Sequence, residues 1–511
     1  MIQKYREEQR VQRVKIAIVG SGFAGIGMGI KLIDNGEGDF VILERSNQPG
    51  GTWRDNTYPG AACDVPSHLY SFSGRLNPKW SRSFSPQSEI QQYLVDCVRE
   101  GGLLEKILFE NKLEFAQWLP DDKCWELTTT KSIFLAKYLI LATGALSEPS
   151  IPDIAGIERY QGKIFHSANW DHEYNLTDKR VAVIGTGASA IQFVPQIQPQ
   201  VRQLHLFQRT PPWIMPRHDR RITFFERHLF KDFPIAQRLV RSLIYWAREL
   251  YVFGFVFDLR IMKLGEKIAL RHLRTQVRNP VLRDKLTPSY TLGCKRILIS
   301  NDYYPSLENE NVEVVTDSIS ELTDNTIITR KGEEFEVDAI IFGTGFHVTD
   351  LPISDSIVGR DGVSLREYWK EGMHAYKGTC VPGFPNLFLL VGPNTGLGHN
   401  SQVFMIECQI EYVAQALDLL KGTLKNCSTG SAPQEFSTCT PGYVIEVNLD
   451  AESKWNYQVQ EMLKGTVWTS GGCNSWYLDE SGRNTTLWPR FTWQFKLETR
   501  KFDIDNYSLV S

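Results

Sequence analysis

The sequence lacks several features that define common classes of protein. Its first ten residues, MIQKYREEQR, are polar and contain no apolar stretch of the kind found in a signal peptide. No run of about 20 apolar residues, the length that spans a bilayer, occurs. Lys and Arg number 56 against 59 Asp and Glu, so there is no basic excess to neutralise phosphates. We therefore expect a cytoplasmic protein without a transmembrane segment or a nucleic-acid partner.

Paired cysteines are also lacking. The nine cysteines are scattered along the chain, and no two form a C-x-x-C pair. This spacing argues against zinc ribbons and thioredoxin-type redox pairs, and we expect no metal site. In a cytoplasmic protein we expect the thiols to be reduced.

One apolar stretch, residues 243–257 (LIYWARELYVFGFVF), needs a separate interpretation. It is too short to span a bilayer and is interrupted by Arg248 and Glu249. The pattern favours a mostly buried helix within a helical subdomain. The alternative is a helix that lies on a membrane surface and collects lipophilic substrate.

With 511 residues, the chain is too long for one hydrophobic core. Two segments have the pattern of βαβ units, in which a β-branched apolar run, a glycine turn, a helix and a second strand follow one another. The first unit covers 15–44 and the second 180–210. Three more apolar runs end in small-residue turns, which is typical of parallel strands at the end where ligands bind; their strands are predicted at 138–141, 339–342 and 387–391.

The first glycine turn has the G-x-G-x-x-G spacing, with Gly20, Gly22 and Gly25 between a strand and a helix. Glycine permits the tight turn, the approach of a pyrophosphate to the backbone, and close packing of helix and strand. Glu44 lies at the end of the next strand, where its carboxylate can accept hydrogen bonds from a ribose diol. This context predicts a dinucleotide site, which we assign to FAD.

The second turn has the related G-x-G-x-x-A spacing, with Gly185, Gly187 and Ala190. Its following strand ends in Gln208-Arg209-Thr210, where an NAD site would have an acid. A guanidinium suits a 2′-phosphate because its planar donors match phosphate oxygens. We therefore predict NADPH rather than NADH. The alternative is that Arg209 is only a solvated charge at the end of a strand.

Two nucleotide sites are compatible with several classes of flavoprotein. Disulfide reductases need a redox-active cysteine pair, which this spacing does not provide, so flavin monooxygenases and dehydrogenases remain. Two segments distinguish these classes: residues 50–64 (GGTWRDNTYPGAACD) and 160–171 (YQGKIFHSANWD). They resemble the signature motifs of type I Baeyer–Villiger monooxygenases, G-G-x-W-x-x-x-x-Y-P-G-x-x-x-D and F-x-G-x-x-x-H-x-x-x-W-[PD]. The second departs only at Tyr160, and Trp170 separates it from the N- and S-oxygenating sister class.

The resemblance implies that NADPH reduces FAD, that a peroxyflavin forms with O2, and that a ketone is converted to an ester or lactone. It implies Arg296 as the catalytic cation, which a dry site would use to stabilise negative charge. Asp64 would be its carboxylate partner, and Lys295 would join Arg209 and Thr210 at the 2′-phosphate. The alternatives are that Arg296 only anchors a cofactor and that Asp64 only caps a turn.

Other residues receive roles from the same resemblance. Those expected to contact the cofactors are Thr52, Trp53, Asp64, Tyr70, Ser189 and Asn394. Those of the linker motif, expected to couple domain movement to catalysis, are Gly162, His166, Trp170 and Asp171. Near the C-terminus, Trp476, Tyr477 and Trp488 either line the substrate pocket or pack in the core.

The predicted fold class is α/β, with two Rossmann-like dinucleotide-binding domains and a helical insertion. The predicted divisions are 1–148 and 386–511 for the FAD domain, 149–216 and 293–385 for the NADP domain, and 217–292 for the insertion. We expect a monomer or homodimer. Two alternative functions stay open: an N- or S-oxygenating flavin monooxygenase, and a flavin/NADPH reductase or redox-binding flavoprotein that does not oxygenate.

Overall fold

The computed structural model describes residues 11–427 and 444–510. The N-terminal segment, on which the signal-peptide prediction rests, and Cys439 lie outside the described residues. The strands are β1 (Val11–Val19), β2 (Phe40–Leu43), β3 (Ile107–Leu108), β4 (Leu113–Leu119), β5 (Cys124–Thr129), β6 (Ile133–Leu141), β7 (Lys163–His166), β8 (Arg180–Ile184), β9 (Gln203–Phe207), β10 (Ile214–Met215), β11 (Leu298–Ile299), β12 (Val312–Val315), β13 (Ile319–Leu322), β14 (Thr326–Thr329), β15 (Glu334–Glu336), β16 (Ala339–Phe342), β17 (Ile357–Val358), β18 (Leu387–Leu389), β19 (Val444–Val447) and β20 (Tyr507–Val510).

The α-helices vary from single turns to one of 26 residues. They are α1 (Phe23–Asp34), α2 (Thr52–Asp55), α3 (Gln87–Glu100), α4 (Ala190–Ile197), α5 (Phe224–Asp232), α6 (Pro234–Glu249), α7 (Met262–Gln276), α8 (Pro280–Lys285), α9 (Tyr303–Leu307), α10 (Leu365–Tyr368), α11 (Gln402–Cys427), α12 (Leu449–Leu463), α13 (Val467–Ser470) and α14 (Thr492–Glu498).

The first sheet is built on the first βαβ unit. Its strand order is β17-β4-β5-β6-β1-β2-β3, and β18 also pairs with β6. Strand β1 lies between β2 and β6 and is parallel to both. Ile16, Ala17 and Ile18 at its centre are fully buried, as expected for β-branched and small residues of a strand covered on both faces. The sheet therefore directs the end of β1 and the turn at Gly20 toward one edge.

The second sheet is built on the second βαβ unit and is entirely parallel. Its order is β12-β9-β8-β16-β7. Strand β16, which lies between β8 and β7, has no exposed residue. Two such sheets confirm the predicted α/β class with two Rossmann-like units. The chain returns to the first sheet at β17, inside the segment 293–385 assigned to the NADP domain, so the domain divisions stay a prediction.

Residues 217–292 form the helices α5 to α8, as the charged periodic pattern predicts. The preferred interpretation of residues 243–257 as mostly buried was wrong. Leu243, Trp246 and Leu250 are 72%, 57% and 62% exposed. The sequence pattern measures how apolar the helix is, and it carries no information about whether another element covers that side. Among the described residues, no helix is long and apolar enough to cross a membrane.

The prediction of reduced thiols was wrong for one pair. Cys294 and Cys473 form a disulfide although 179 residues separate them. Spacing rules detect only cysteines that are close in sequence, so this pair gave no signal. Five other cysteines are free and buried: Cys63, Cys97, Cys124, Cys380 and Cys408.

Candidate active site

The first glycine turn lies where β1 meets α1, beside the end of β6. Gly20 has a φ of +101°, and a Cβ at this position would lie 2.7 Å from the carbonyl oxygen of Ala142. A Cβ at Gly25 would collide with the carbonyl of Gly20, so only glycine allows the helix to begin this close to the strand. At Gly22 the nearest atom to an added Cβ is the Cα of Gly51, at 3.7 Å. The residues thus form an open backbone cradle that fits a pyrophosphate.

Glu44 closes this cradle at the end of β2. Its carboxylate is buried and accepts hydrogen bonds from the backbone nitrogen and the hydroxyl of Ser21, at 3.0 and 2.6 Å. It also accepts from Arg54 at 2.8 Å, which compensates its buried charge. The acid is therefore fixed next to the turn, where the FAD ribose is expected, and its role as a ribose ligand stays a prediction.

The second glycine turn repeats the construction of the first. Gly185 has a φ of +108°, and its Cα packs against the carbonyl of Gly343 at the end of β16, leaving no room for a Cβ. Ala190 is fully buried against Gly343, and Ser189 lies immediately before α4. Gly187 is exposed, so its backbone is open to a ligand. These residues fit a second dinucleotide.

Two cations lie beside this second turn. Burial and the positive charge of Arg209 lower the pKa of the Lys295 ammonium. In the part of the chain that is described, no carboxylate pairs with either side chain. Like charges held this close are unfavourable unless an anion is shared between them. The pair fits the 2′-phosphate of NADPH. Thr210 lies at the same corner, where its carbonyl accepts a 3.4 Å hydrogen bond from Thr186.

Arg296 and Asp64 form a bidentate ion pair. Nε and Nη2 of the guanidinium donate to Oδ2 and Oδ1 of the carboxylate, both at 2.7 Å. Burial opposes ionisation of Asp64, but the attraction of Arg296 outweighs it and holds the carboxyl pKa below its ordinary value. The attraction of Asp64 in turn raises the pKa of Arg296. The structure thus unites the last residue of the first motif with an arginine 232 positions later.

The surroundings of this pair include two residues whose roles the sequence left open. The phenol of Tyr477 is fully buried, and its hydroxyl has no hydrogen-bond partner among the described residues. Burial raises the Tyr477 pKa to about 12, while the positive charge of Arg296 acts in the opposite direction. Arg248 of α6 also reaches this region, because its charge contributes to lowering the Asp64 pKa.

The other two C-terminal aromatic residues lie in different surroundings. Trp488 is buried and stacks on Trp455 with ring centroids 5.9 Å apart, so it packs in the core. Trp476 is 42% exposed and contacts the ring of Tyr477. The disulfide joins Cys294, which precedes Lys295, to Cys473, which lies three residues before Trp476. It therefore links the C-terminal segment to the segment before β11 that carries Arg296.

Four residues expected to contact the cofactors form part of the surrounding framework. Nε1 of Trp53 donates to the hydroxyl of Tyr70 at 3.0 Å, and burial raises the pKa of that phenol. Thr52 begins the short helix α2. Asn394 is buried, and its amide donates to the carbonyls of Asn484 and Leu487. These contacts position the residues, while their contacts to a cofactor stay a prediction.

The linker motif forms the edge strand β7 of the second sheet and the short turn that follows it. An added Cβ at Gly162 would collide with the phenol of Tyr160, whose hydroxyl donates to the carbonyl of Val337 at 3.0 Å. The one departure from the motif therefore gains a hydrogen bond. His166 is buried, and its Nδ1 accepts from the backbone of Ala168 at 3.1 Å. Burial lowers the His166 pKa to about 4, so the imidazole is neutral at pH 7.

Trp170 and Asp171 fix the end of the linker. The indole packs edge-on against Phe165 and tilted against Phe193 of α4, at centroid distances of 5.1 and 5.2 Å. Asp171 pairs with Lys163 at 2.5 Å and accepts from the backbone of residues 173 and 174. The motif joins β7 to the helix that follows the second glycine turn.

One residue of this junction was missed by sequence reasoning. Oε1 of Gln192 accepts from the hydroxyl of Tyr58 at 3.0 Å and from the backbone of Ala62 at 3.3 Å, and its Nε2 donates to the carbonyl of Ala62 at 3.0 Å. It thereby bridges the first motif and α4. A lone glutamine in a short helix gives no signal in the sequence. On the other side of this contact, only Tyr58 occupies a fixed position of a motif that the sequence identified.

Known proteins resemble the chain over nearly its whole length. Residues 13–368 match the family model described as flavin-binding monooxygenase-like. A Baeyer–Villiger monooxygenase of Streptomyces coelicolor is 47% identical over 98% of this chain and 94% of its own length. One of Pseudomonas aeruginosa is 49% identical over 97% and 92%. The crystal structure of cyclohexanone monooxygenase from Rhodococcus sp. Phi1 bound to NADP+ superposes with a TM-score of 0.84 and 25% identity, covering 98% of this chain and 100% of that one.

Proposed function

The chain belongs to the Baeyer–Villiger branch of the flavin-binding monooxygenase-like family, and we propose that Arg296, oriented by Asp64, is the catalytic cation of its active site. It is an oxidoreductase that uses FAD and NADPH with O2. The roles of its individual residues and the chemical class of its ketone form the proposal.

The bidentate pair of Arg296 and Asp64 is the observation that carries the proposal. FAD bound there would supply the reduction of dioxygen, by which one oxygen atom enters the substrate and the other leaves as water. Arg296 contributes a positive charge that stays fixed during the reaction, which stabilises negative charge developing on the reacting oxygen. Asp64 holds the guanidinium through two parallel hydrogen bonds and raises its pKa, so that the charge persists at all physiological pH values.

The second nucleotide is held by separate residues in this proposal. The backbone from Gly185 to Ala190 receives the pyrophosphate, and Arg209 and Lys295 share the 2′-phosphate. The lowered pKa of Lys295 supports this division, because the two cations repel each other without an anion. Lys295 and Arg296 are adjacent in sequence, so one segment contacts the NADPH phosphate and the oxygenation site.

Apolar ketones are the proposed substrates. The buried phenol of Tyr477 and the neighbouring ring of Trp476 line the region next to Arg296. A site with few polar partners would orient a ketone through its carbonyl and accept apolar groups around it. Whether the carbonyl belongs to a cyclic, aryl or long-chain ketone stays open to measurement.

The test compares wild-type protein with Arg296→Ala in a ketone panel with NADPH and O2, read by mass spectrometry for the addition of one oxygen atom. We expect ester or lactone formation to fall by about 10²–10³-fold or more, because a preorganised electrostatic partner is removed. Flavin binding and flavin reduction by NADPH should remain. Arg202→Ala, which removes an exposed arginine at the start of β9, is the matched control and should behave as wild type.

The proposal would be contradicted if Arg296→Ala formed esters at near wild-type rate. If the wild type consumed NADPH and released only hydrogen peroxide with every ketone, the reductase alternative would replace it. Oxygenation of thioethers or amines without any ketone product would favour the N- and S-oxygenating alternative. The proposed monomer or homodimer and the cytoplasmic location are checked separately, by light scattering and by cell fractionation.

A further inference from the structure

The helical insertion exposes a continuous apolar stripe. On α6 its members are spaced at intervals of three or four residues, so they lie on one side of the helix. They are Ile235, Leu239, Leu243, Trp246 and Leu250. Each is more than half exposed, and no described element covers them. Exposed apolar residues occur singly on most proteins, but a contiguous patch of this kind marks an interaction site.

Further exposed apolar side chains lie on α5, on α7 and on the connection between α6 and α7. Phe224 and Phe225 at the start of α5 are 72% and 75% exposed. Ile261, Leu264 and Ile268 form a second row along α7 with the same helical spacing. In the connection between α6 and α7, the exposed Phe253 and Phe257 contact each other and Phe491. We call this whole surface, carried by α5, α6, α7 and the connection between α6 and α7, the apolar face.

The opposite side of α6 is fixed to the body of the protein. Gln237 is buried and donates to the carbonyl of Asn77 at 2.7 Å, and Arg241 donates to the carbonyls of His68 and Leu69. At the end of α6, the buried carboxylate of Glu249 accepts hydrogen bonds from Asn400 and Thr492. The helix is thus held in one orientation, and its apolar side faces solvent because the other side is anchored.

This region carries a net positive charge. Residues 217–276 hold 13 Lys and Arg against six Asp and Glu, a formal net charge of +7 in a chain whose total is −3. Ten of these basic side chains are exposed: Arg220, Arg221, Arg227, Lys231, Arg238, Arg260, Lys263, Lys267, Arg271 and Arg274. Within the same range, all of which the structure describes, Asp232 is the only exposed acid.

We propose that the apolar face docks onto the surface of an anionic phospholipid bilayer, with its Leu, Trp, Phe and Ile side chains in the interface and its Lys and Arg side chains at the lipid phosphates. Exposed apolar residues combined with flanking basic residues are the composition of helices that lie in a membrane interface. Anionic lipid complements the charge of +7. A second copy docked through the same face would instead bring two such charges together. Docking would hold whether or not Arg296 has its proposed role.

The experiment measures flotation of the full-length, FAD-loaded protein with two kinds of vesicle: phosphatidylcholine alone, and phosphatidylcholine mixed with phosphatidylserine. The wild type should partition onto the mixed vesicles and only weakly onto the neutral ones. The double variant Leu243→Ser/Trp246→Ser should lower partitioning by about tenfold or more, because the buried apolar area is lost. The triple variant Lys263→Glu/Lys267→Glu/Arg271→Glu should lower it through charge. The control Leu449→Ser/Tyr457→Ser removes two comparably exposed apolar side chains of α12 and should bind as wild type.

Three outcomes would overturn the proposal. The first is wild-type partitioning onto mixed vesicles no greater than onto neutral ones. The second is equal binding by the Leu243/Trp246 variant and the wild type, which would make the contact purely electrostatic. The third is vesicle-free self-association that the same variant abolishes, which would identify a second copy as the occupant. Circular dichroism and flavin content verify that each variant folds.

Discussion

At the scale of single residues, we propose that the two cations beside the second glycine turn determine cofactor selectivity. Burial and the positive charge of Arg209 lower the Lys295 pKa, so the two side chains repel each other. We expect Arg209→Gln to raise KM for NADPH by about 10–100-fold, because a charge-assisted hydrogen bond is lost, and to change KM for NADH little. Steady-state kinetics with both cofactors measures this, and Arg202→Gln serves as the control. Equal loss with NADPH and NADH would contradict the assignment.

Tyr477 provides a second prediction at this scale, because its hydroxyl is buried without a partner next to Arg296. Removing an unsatisfied buried hydroxyl leaves stability unchanged or raises it by about 1 kcal/mol. If the hydroxyl instead hydrogen-bonds the substrate or the reacting oxygen, Tyr477→Phe should lower kcat by about tenfold. Thermal denaturation and steady-state rates then move in opposite directions.

If the hydroxyl has no contact to substrate, Tyr477→Phe should leave kcat unchanged while the melting temperature stays the same or rises. Trp488→Phe provides the comparison, because Trp488 stacks on Trp455 in the core and should affect stability before turnover. The sequence could not separate these two residues, since both are large aromatics in one motif. Only their neighbours in space distinguish them: Tyr477 lies near Arg296, and Trp488 stacks on Trp455.

At the scale of elements, the junction between the first motif and α4 depends on Gln192. Gln192→Leu would leave the hydroxyl of Tyr58 and both backbone groups of Ala62 without their partners. We expect a loss of about 1–3 kcal/mol in the free energy of unfolding. The ratio of oxygenated product to NADPH consumed should also fall, because the hydrogen bonds between the first motif and α4 are lost.

The matched control is Gln200→Leu, which replaces an exposed glutamine just beyond the end of α4. It should leave both stability and the product ratio near wild-type values. A Gln192→Leu protein that is destabilised but keeps its product ratio would show that the junction is structural and does not couple the two units. Calorimetry and product quantification on the same preparation separate these outcomes.

The elements that the sequence predicted are those with strong local patterns. The strand predicted at 339–342 has those bounds, the one predicted at 138–141 is the end of the longer β6, and the one predicted at 387–391 ends at Leu389. The antiparallel strands β4 and β5 and the small sheet β13-β14-β15 were not predicted, because short strands with exposed polar residues lack a continuous apolar run. The prediction that residues 243–257 form a mostly buried helix is wrong, because hydrophobicity alone cannot indicate which sides of a helix are covered.

At the scale of the whole molecule, contacts between residues close in sequence could be predicted, and contacts between distant residues mostly could not. The two glycine turns are local, and their geometry matches the spacing that predicted them. The pairing of Arg296 with Asp64 spans 232 residues, and the resemblance to a family supplied it where spacing could not. No comparable motif predicted the contacts of Gln192 or the disulfide. Each of them joins segments that are distant in sequence and are brought together only by the fold.

The Cys294–Cys473 disulfide permits a prediction about the stability of the whole chain. It closes a loop of 179 residues, and cross-links over long loops restrict the unfolded state. We expect Cys294→Ser/Cys473→Ser to lose about 2–5 kcal/mol in the free energy of unfolding. Dithiothreitol should lower the melting temperature of the wild type toward that of the double variant and leave the variant unchanged.

Because the disulfide joins the segment of Arg296 to the segment of Tyr477, the loss should not be confined to global stability. Opening of the C-terminal segment alone requires fewer contacts to break than unfolding of the two sheets, so hydrogen exchange should increase first within residues 471–484. If reduction accelerated exchange uniformly over both sheets, the disulfide would act only on the unfolded state. If reduction changed neither exchange nor melting temperature, the cross-link would not form in the folded protein. Faster hydrogen exchange within residues 471–484, with both sheets still protected, would show that the disulfide holds the segment that carries Tyr477 in place.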